Sequence, residues 1–360
     1  MISVANPVIG DQEVEAVTAV LRSGALAQGA EVAAFEEEFS SVAVDSAACV
    51  AVNSGTSALH IALLALGVGK GDEVVVPSFT FAATANAVAL TGATPVFCDI
   101  DLDSFCMSPP AVESLLSART KAIIPVHLYG HPAEVQQLLD ICDRHSILMI
   151  EDAAQAHLAT YRKKPVGTWG DAGCFSFYPT KNMTSGEGGM ISTQESSVER
   201  MCRLLRNQGQ ERRYFNEVVG LNNRMTDIHA AIGRVQLKSI REWTRQRQVN
   251  AEFFSSHLEG VITPTVAAGA THVYHQYTIR VEGLDRDRFV EELGKRGIGC
   301  GVYYPAPVHT LPSYADSGVD LPNTHVAASS CLSLPVHPAL RPDELERVVE
   351  SVNDLASAGA

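Results

Sequence analysis

"FSFYPTKNMTSGEGGM", residues 175–190, runs from aromatic, strand-like residues into a loop with three glycines in four positions. Lys181 lies between the two. A lysine after a strand is ordinarily a solvated surface cation; the other readings are an anion-binding loop lysine and a catalytic amine. The sequence on either side decides between them.

Upstream, short and almost wholly apolar runs alternate with helical stretches. "ACVAV" (48–52) leads into a helix from Thr56, and "EVVVP" (73–77) into one near 80–91. "PVFCDI" (95–100), "KAIIPV" (121–126), a helix near 132–145 and "ILMIED" (147–152) follow. Apolar strands between helices predict a mostly parallel sheet covered on both faces, an α/β fold whose ligands sit off the carboxyl ends of the strands. An amphipathic helix near 11–22, with Asp11 as its cap, precedes the sheet. Beyond about residue 240 the charged stretch "QLKSIREWTRQRQVNAEFFSSHL" carries the chain to a smaller α+β region. There "YHQYTIRV" (274–281) alternates like a half-exposed strand and a helix fills roughly 286–296. The expected division is a large domain over 1–240 and a small one over 241–360. "TPTVAAGATH" (263–272) reads as a mobile loop.

A chain of 360 residues with 46% hydrophobic and 19% charged residues is ordinary for a globular protein. Its formal charge of −14 argues against a nucleic-acid backbone as partner, which needs a basic footprint. The N-terminus lacks the basic start and apolar run of a signal peptide, and the longest apolar stretch, "ALHIALLALGVG", is too short to span a bilayer. Eight cysteines without a C-x-x-C pair read as reduced, mostly buried thiols. The expected address is cytoplasmic, with no membrane partner.

Four features fall where strands end. "NSGTSALH" (53–60) opens a helix, whose backbone N–H groups with the Ser54 or Thr56 hydroxyl suit a phosphate, or simply make a capped turn. "PSFTF" (77–81) offers Phe79 and Phe81 as core residues or as a stacking platform. "IEDAAQA" (150–156) puts a carboxylate pair at the end of an apolar strand, where it needs partners or solvent. Asp152 there suits a cationic ring nitrogen or a helix cap, with Gln155 one turn on. The fourth is the opening stretch, with Ser176 and Lys181. Pyridoxal phosphate uses all four: an amine for its aldehyde, a helix N-terminus for its phosphate, an aromatic for its ring and a carboxylate for its pyridinium nitrogen.

In these blocks, and in "RSGALAQGAEVAAFEEEF", "GLNNRMTDIHAAIGRVQL" and "YYPAPVH", the sequence resembles the DegT/DnrJ/StrS-type sugar aminotransferases, a branch of the fold type I pyridoxal-phosphate enzymes. The resemblance implies that Lys181 is the lysine bonded to the cofactor, Asp152 the partner of the ring nitrogen and Gln155 the neighbour of the ring hydroxyl. It implies Gly55, Thr56 and Ser176 as phosphate ligands and Phe81 as the stacking aromatic. Asn222 would reach the phosphate from the other subunit of a homodimer, and Arg224 and His309 would approach the sugar. The implied activity is ping-pong transfer of an amino group from L-glutamate, through pyridoxamine phosphate, to a nucleotide-diphosphate keto-sugar. A non-sugar cyclic ketone as acceptor, or a cofactor-binding regulatory protein without turnover, are the alternatives. His229 replaces a usual glutamine and Leu158 a usual glycine. "HLYGH" (127–131) lacks the glutamate and the helix of a zinc motif, so no metal site is expected. "RNQGQERRYFNEVVG" (206–220) reads as a basic, solvated loop able to attract a nucleotide diphosphate.

Overall fold

The computed structural model describes residues 1–315 and 318–359. Seven strands form the central sheet: β1 (Ala48–Val52), β2 (Glu73–Pro77), β3 (Thr94–Cys98), β4 (Thr120–Ile123), β5 (Leu148–Asp152), β6 (Ala172–Ser176) and β7 (Gly189–Thr193). Their spatial order is β1-β7-β6-β5-β4-β2-β3. All neighbours are parallel except β7, which runs antiparallel to both β1 and β6. The centre is buried on both faces, as β2, β6 and β7 show at every residue. This explains the unbroken apolar runs in the sequence.

Register gathers chemistry at one edge. Val52 and Ser176 both pair with Gly189, so the ends of β1 and β6 lie beside the start of β7. β5 ends next to them on Asp152, opposite Cys174. Helix α1 (Gly55–Ala65) starts directly above this edge, and a Cβ on Gly55 would stand 2.8 Å from the Ser176 Cβ. Glycine is needed there so that the helix N-terminus can approach the strand end.

The two sheet faces carry separate apolar clusters, one around Leu59, Ile61 and Leu63, the other around Phe35, Phe39, Phe175 and Phe177. A further cluster belongs to the C-terminal part, where Tyr277–Arg280 pairs antiparallel with Cys331–Leu334 and packs with Phe254, Phe289 and Leu293. Ile2 joins that cluster from the opposite end of the chain.

Two expectations are corrected. Asp11 does not cap the first helix: the cap is Gly10, whose N–H donates to Glu13 Oε2 at 2.9 Å, and Asp11 is already helical. The charged stretch leading to the C-terminal part belongs to one continuous helix, Asp227–His257, which runs through residue 240. The 263–272 stretch is tied down, with Ala270–Thr271 paired to Thr160–Tyr161 and the Ala267 N–H bonded to His131 Nε2 at 3.0 Å. All eight cysteines are free, and all but Cys300 are buried. Among the described residues, no helix is long and apolar enough to cross a membrane.

Candidate active site

A cavity of about 430 Å³ opens at the gathered strand ends. Gly55, Thr56, Phe81, Asp152, Gln155, Ser176 and Lys181 all contribute to its wall, so seven of the residues singled out in the sequence meet in one space. Asn222, Arg224 and His309 do not line it.

Asp152 is the buried carboxylate of the site. Its Oδ2 accepts from the Thr84 hydroxyl at 2.8 Å and its Oδ1 from the Ala154 N–H at 3.1 Å. Burial raises its pKa, against the opposing pull of those two hydrogen bonds and of Lys181. Burial likewise lowers the Lys181 ammonium from 10.5 to about 8, with Asp152 working the other way. An amine so placed has a substantial neutral fraction near physiological pH, as a nucleophile or proton carrier requires.

Glu151 precedes Asp152 and points away from the cavity. It accepts from the Gly167, Trp169 and Gly170 N–H groups at 2.8, 2.6 and 3.0 Å, and from His127 Nε2 at 3.0 Å. The costly carboxylate pair of the sequence thus divides into one fully bonded member and one facing open space. His127 is engaged in this network rather than in a metal site.

Gln155 is held at both ends of its amide: Oε1 accepts from the Tyr129 N–H at 2.7 Å and Nε2 donates to the Tyr304 hydroxyl at 3.0 Å. Phe81 is 61% exposed, tilted against Tyr304 with centroids 6.1 Å apart, whereas Phe79 is buried against Phe105 and Tyr129. Ser54 caps α1, accepting from the Ser57 N–H at 3.1 Å. The Thr56 and Ser176 hydroxyls remain on the wall beside the α1 N-terminus, where partial positive charge favours an anion.

Asn222 is exposed and bridges to Asn207, and Arg224 Nη1 donates to Asn207 Oδ1 at 2.7 Å. His309 is buried outside the wall, with Nδ1 2.6 Å from the Ser78 hydroxyl. His229 lies on the helix after the Asn222 segment, its Nδ1 2.7 Å from Thr226 Oγ1. Leu158 has φ +67°, a left-handed backbone that suits the glycine it replaces. The 206–220 stretch forms a short hairpin, Gln210–Arg212 with Phe215–Asn216. Sequence reasoning missed Thr84, Tyr178, Glu187, His275, Tyr303 and Tyr304 as wall residues. None carried a local signal, and the last three arrive from beyond residue 270.

The arrangement of amine, buried carboxylate and helix N-terminus in one cavity defines what should match. Residues 7–353 match the model of the DegT/DnrJ/EryC1/StrS aminotransferase family. The chain belongs to this family. It is 40% identical over 348 residues to the dTDP-3-amino-3,4,6-trideoxy-alpha-D-glucose transaminase of Streptomyces venezuelae, covering 95% of this chain and 91% of that one. It is 43% identical over 312 residues to a pleiotropic regulatory protein of Geobacillus stearothermophilus, covering 84% and 83%. The PLP form of Spr1654 from Streptococcus pneumoniae superposes with TM-score 0.95 at 28% identity, covering 100% and 99%. The chain is therefore an α/β, pyridoxal-phosphate-dependent aminotransferase of the DegT/DnrJ/EryC1/StrS type. The residues present fit the cofactor. Asp152 is a carboxylate whose buried charge lacks a full set of partners, Lys181 is an amine with lowered pKa, and α1 offers its N-terminus.

Proposed function

We propose that this aminotransferase moves an amino group from an amino acid, L-glutamate, to the carbonyl of a nucleotide-linked keto-sugar. The observation that carries the reading is the meeting of Lys181, Asp152 and Gln155 in one cavity. The dTDP-sugar transaminase relative supports the acceptor class.

Pyridoxal phosphate, when bound, supplies an aldehyde that takes up the amino group and a ring that draws off electrons. The protein's own residues do the rest. Thr56, Ser176 and the N–H groups at Gly55 would hold the phosphate. Asp152, fixed by Thr84 and Ala154, would keep a proton on the ring nitrogen. Gln155 would lie beside the ring hydroxyl and Phe81 against the ring face. Lys181 Nζ would take the proton from the donor's α-carbon and deliver it on the other side of the transfer, as a general base and then a general acid.

Catalysis would take place in the cytoplasm in a homodimer whose sites are shared. Two features support sharing. Among the described residues lining the cavity, Lys181 is the sole lysine or arginine, although a phosphate and acidic substrates must be neutralised there. Asn222 and Arg224, turned away from their own cavity, and the exposed Tyr214, Phe215 and Val219 near them would face a second copy. Arg224 and His309 would serve the sugar, Arg224 directly and His309 from behind Ser78. The large domain, 1–240, would hold the cofactor and the small domain, 241–360, would close over it.

The likeness to a regulatory protein gives a second reading, a cofactor-binding protein without turnover. The test separates the two. Purified protein should be yellow, its visible band should move to shorter wavelength with L-glutamate, and a keto-sugar nucleotide should restore it. A band that glutamate leaves in place would favour the regulatory reading. Recovery with a cyclic ketone but with no sugar nucleotide would replace the acceptor class.

A further inference from the structure

His275 reaches the cavity wall on a segment that the catalytic reading does not use. Gly130, at φ +97°, lets that segment come close: a Cβ there would stand 2.9 Å from the His275 nitrogen and 3.1 Å from the Gln155 carbonyl oxygen. Asn182, the residue after Lys181, ties the two segments together. Its Nδ2 donates to the Val273 carbonyl at 3.1 Å, and its Oδ1 lies 3.3 Å from His275 Nδ1. Because the amide nitrogen is committed to a carbonyl, Oδ1 must act as acceptor, and His275 Nδ1 must carry the proton. The other ring nitrogen, Nε2, has no partner among the described residues.

We propose that His275 presents an unprotonated Nε2 to the space it shares with Lys181, as an acceptor for an N–H or O–H group of the bound substrate. Its surroundings keep it neutral. Burial lowers its pKa, and the positive charges of Lys181 and Arg247, with His157 behind, lower it further. Arg247 donates to the Tyr274 and His275 carbonyls at 3.3 and 3.4 Å, which holds the segment in place from the long helix. A neutral, tautomer-locked imidazole can accept but cannot donate at Nε2. It therefore favours an ammonium or hydroxyl and disfavours a bare carboxylate at that position.

This inference rests on the Lys181 cavity being the substrate site, but its first test does not. Long-range ¹H–¹⁵N spectra of the cofactor-free wild-type protein should show His275 as the Nδ1–H tautomer at neutral pH. An Nε2–H tautomer, or an imidazolium, overturns the proposal. The second test compares His275→Gln, which retains an acceptor, with His275→Leu, which does not. In the half-reaction with L-glutamate, and in the return reaction with the keto-sugar, kcat/KM should fall about tenfold in His275→Leu for at least one partner, the size of one lost hydrogen bond. His275→Gln should recover most of that loss, and cofactor affinity, read from the visible band, should be equal in all three proteins. Equal loss in both variants would make His275 structural, and no loss in either would remove it from the site.

Discussion

Glu151 and Asp152 are consecutive residues of one strand, both buried, yet their two sides of the sheet treat them differently. Glu151 accepts four hydrogen bonds, three of them from backbone N–H groups of the 167–170 turn, and so organises a turn. Asp152 accepts two and faces a cavity. A buried carboxylate with its acceptor capacity filled stabilises its surroundings. One with capacity left over, next to a buried amine, is a site waiting for a cation. The difference teaches that bonding saturation, rather than charge or burial, separates the acid that organises a turn from the acid proposed to hold the cofactor.

The largest effect should come from the cation of that pair. Lys181→Ala should bind pyridoxal phosphate, because the phosphate and ring contacts remain, yet turnover should fall about ten-thousandfold, the upper range for losing a general acid–base group. Stopped-flow measurement of each half-reaction checks both. Substantial multiple turnover would move proton transfer to another residue and erase the contrast between the two faces.

Next come the two carboxylates compared directly. Asp152→Asn keeps the shape but loses the charge, and kcat should fall about a hundredfold with little change in stability, as for one preorganised electrostatic contact. Glu151→Gln should do the reverse. It turns an amide N–H₂ toward backbone donors, and stability should fall by about 3 kcal/mol while kcat per folded molecule stays near wild type. Denaturant melts and initial rates on the same preparations decide. If Glu151→Gln were the more damaging to kcat at equal folded fraction, the comparison would fail.

The pH dependence sharpens it further. If Lys181 bonds the cofactor as proposed, its neutral amine is the form that would react with the aldehyde. With its pKa lowered to about 8, capture of pyridoxal phosphate by the cofactor-free protein should slow as pH falls through 8 and level off above it. Below the midpoint the rate should drop about tenfold per pH unit. Because the Asp152 charge raises this pKa, Asp152→Asn should move the midpoint to lower pH. A midpoint near the ordinary 10.5 in the wild type would mean that the amine is solvated.

Much of this site was legible because it is written on strand ends. Asp152 and Ser176 end apolar runs that read as central strands, with Lys181 in the loop beyond, and the parallel pairing of β5 with β6 brings those ends together. Gly55 and Thr56 follow β1, which reaches the same edge through the antiparallel β7, since Val52 and Ser176 both pair with Gly189. The sequence singled out Asp152 but could not supply the partners of Glu151, since the turn that saturates Glu151 is sixteen to nineteen residues away and carries no motif. Nor could it find His275 and Tyr304, whose segments cross from the C-terminal part and meet Gln155 and Asn182 only through tertiary packing. The Asp11 cap failed for a local reason: Glu13 two residues on bonds the Gly10 N–H and claims the cap one residue earlier.

The smallest expected signal tests whether a third region, the Asn222 segment, belongs to the cavity of a second copy. In its own subunit Asn222 is exposed and bridged to Asn207, outside the wall that holds Lys181. If its side chain completes the phosphate cup of a partner, Asn222→Ala should be impaired on its own. Mixing it with Lys181→Ala subunits after dissociation and reassociation should then create one intact site per heterodimer, made from the Lys181 of one chain and the Asn222 of the other. Random pairing makes half of the dimers heterodimers, so the mixture should regain about a quarter of the wild-type sites. Native mass spectrometry counts the heterodimers and the visible band counts the cofactor they hold. Confirmed heterodimers with no more activity than the sum of their parents would show that each cavity is complete within one chain. The cation missing from its wall would then have to come from the substrate's own counter-ions.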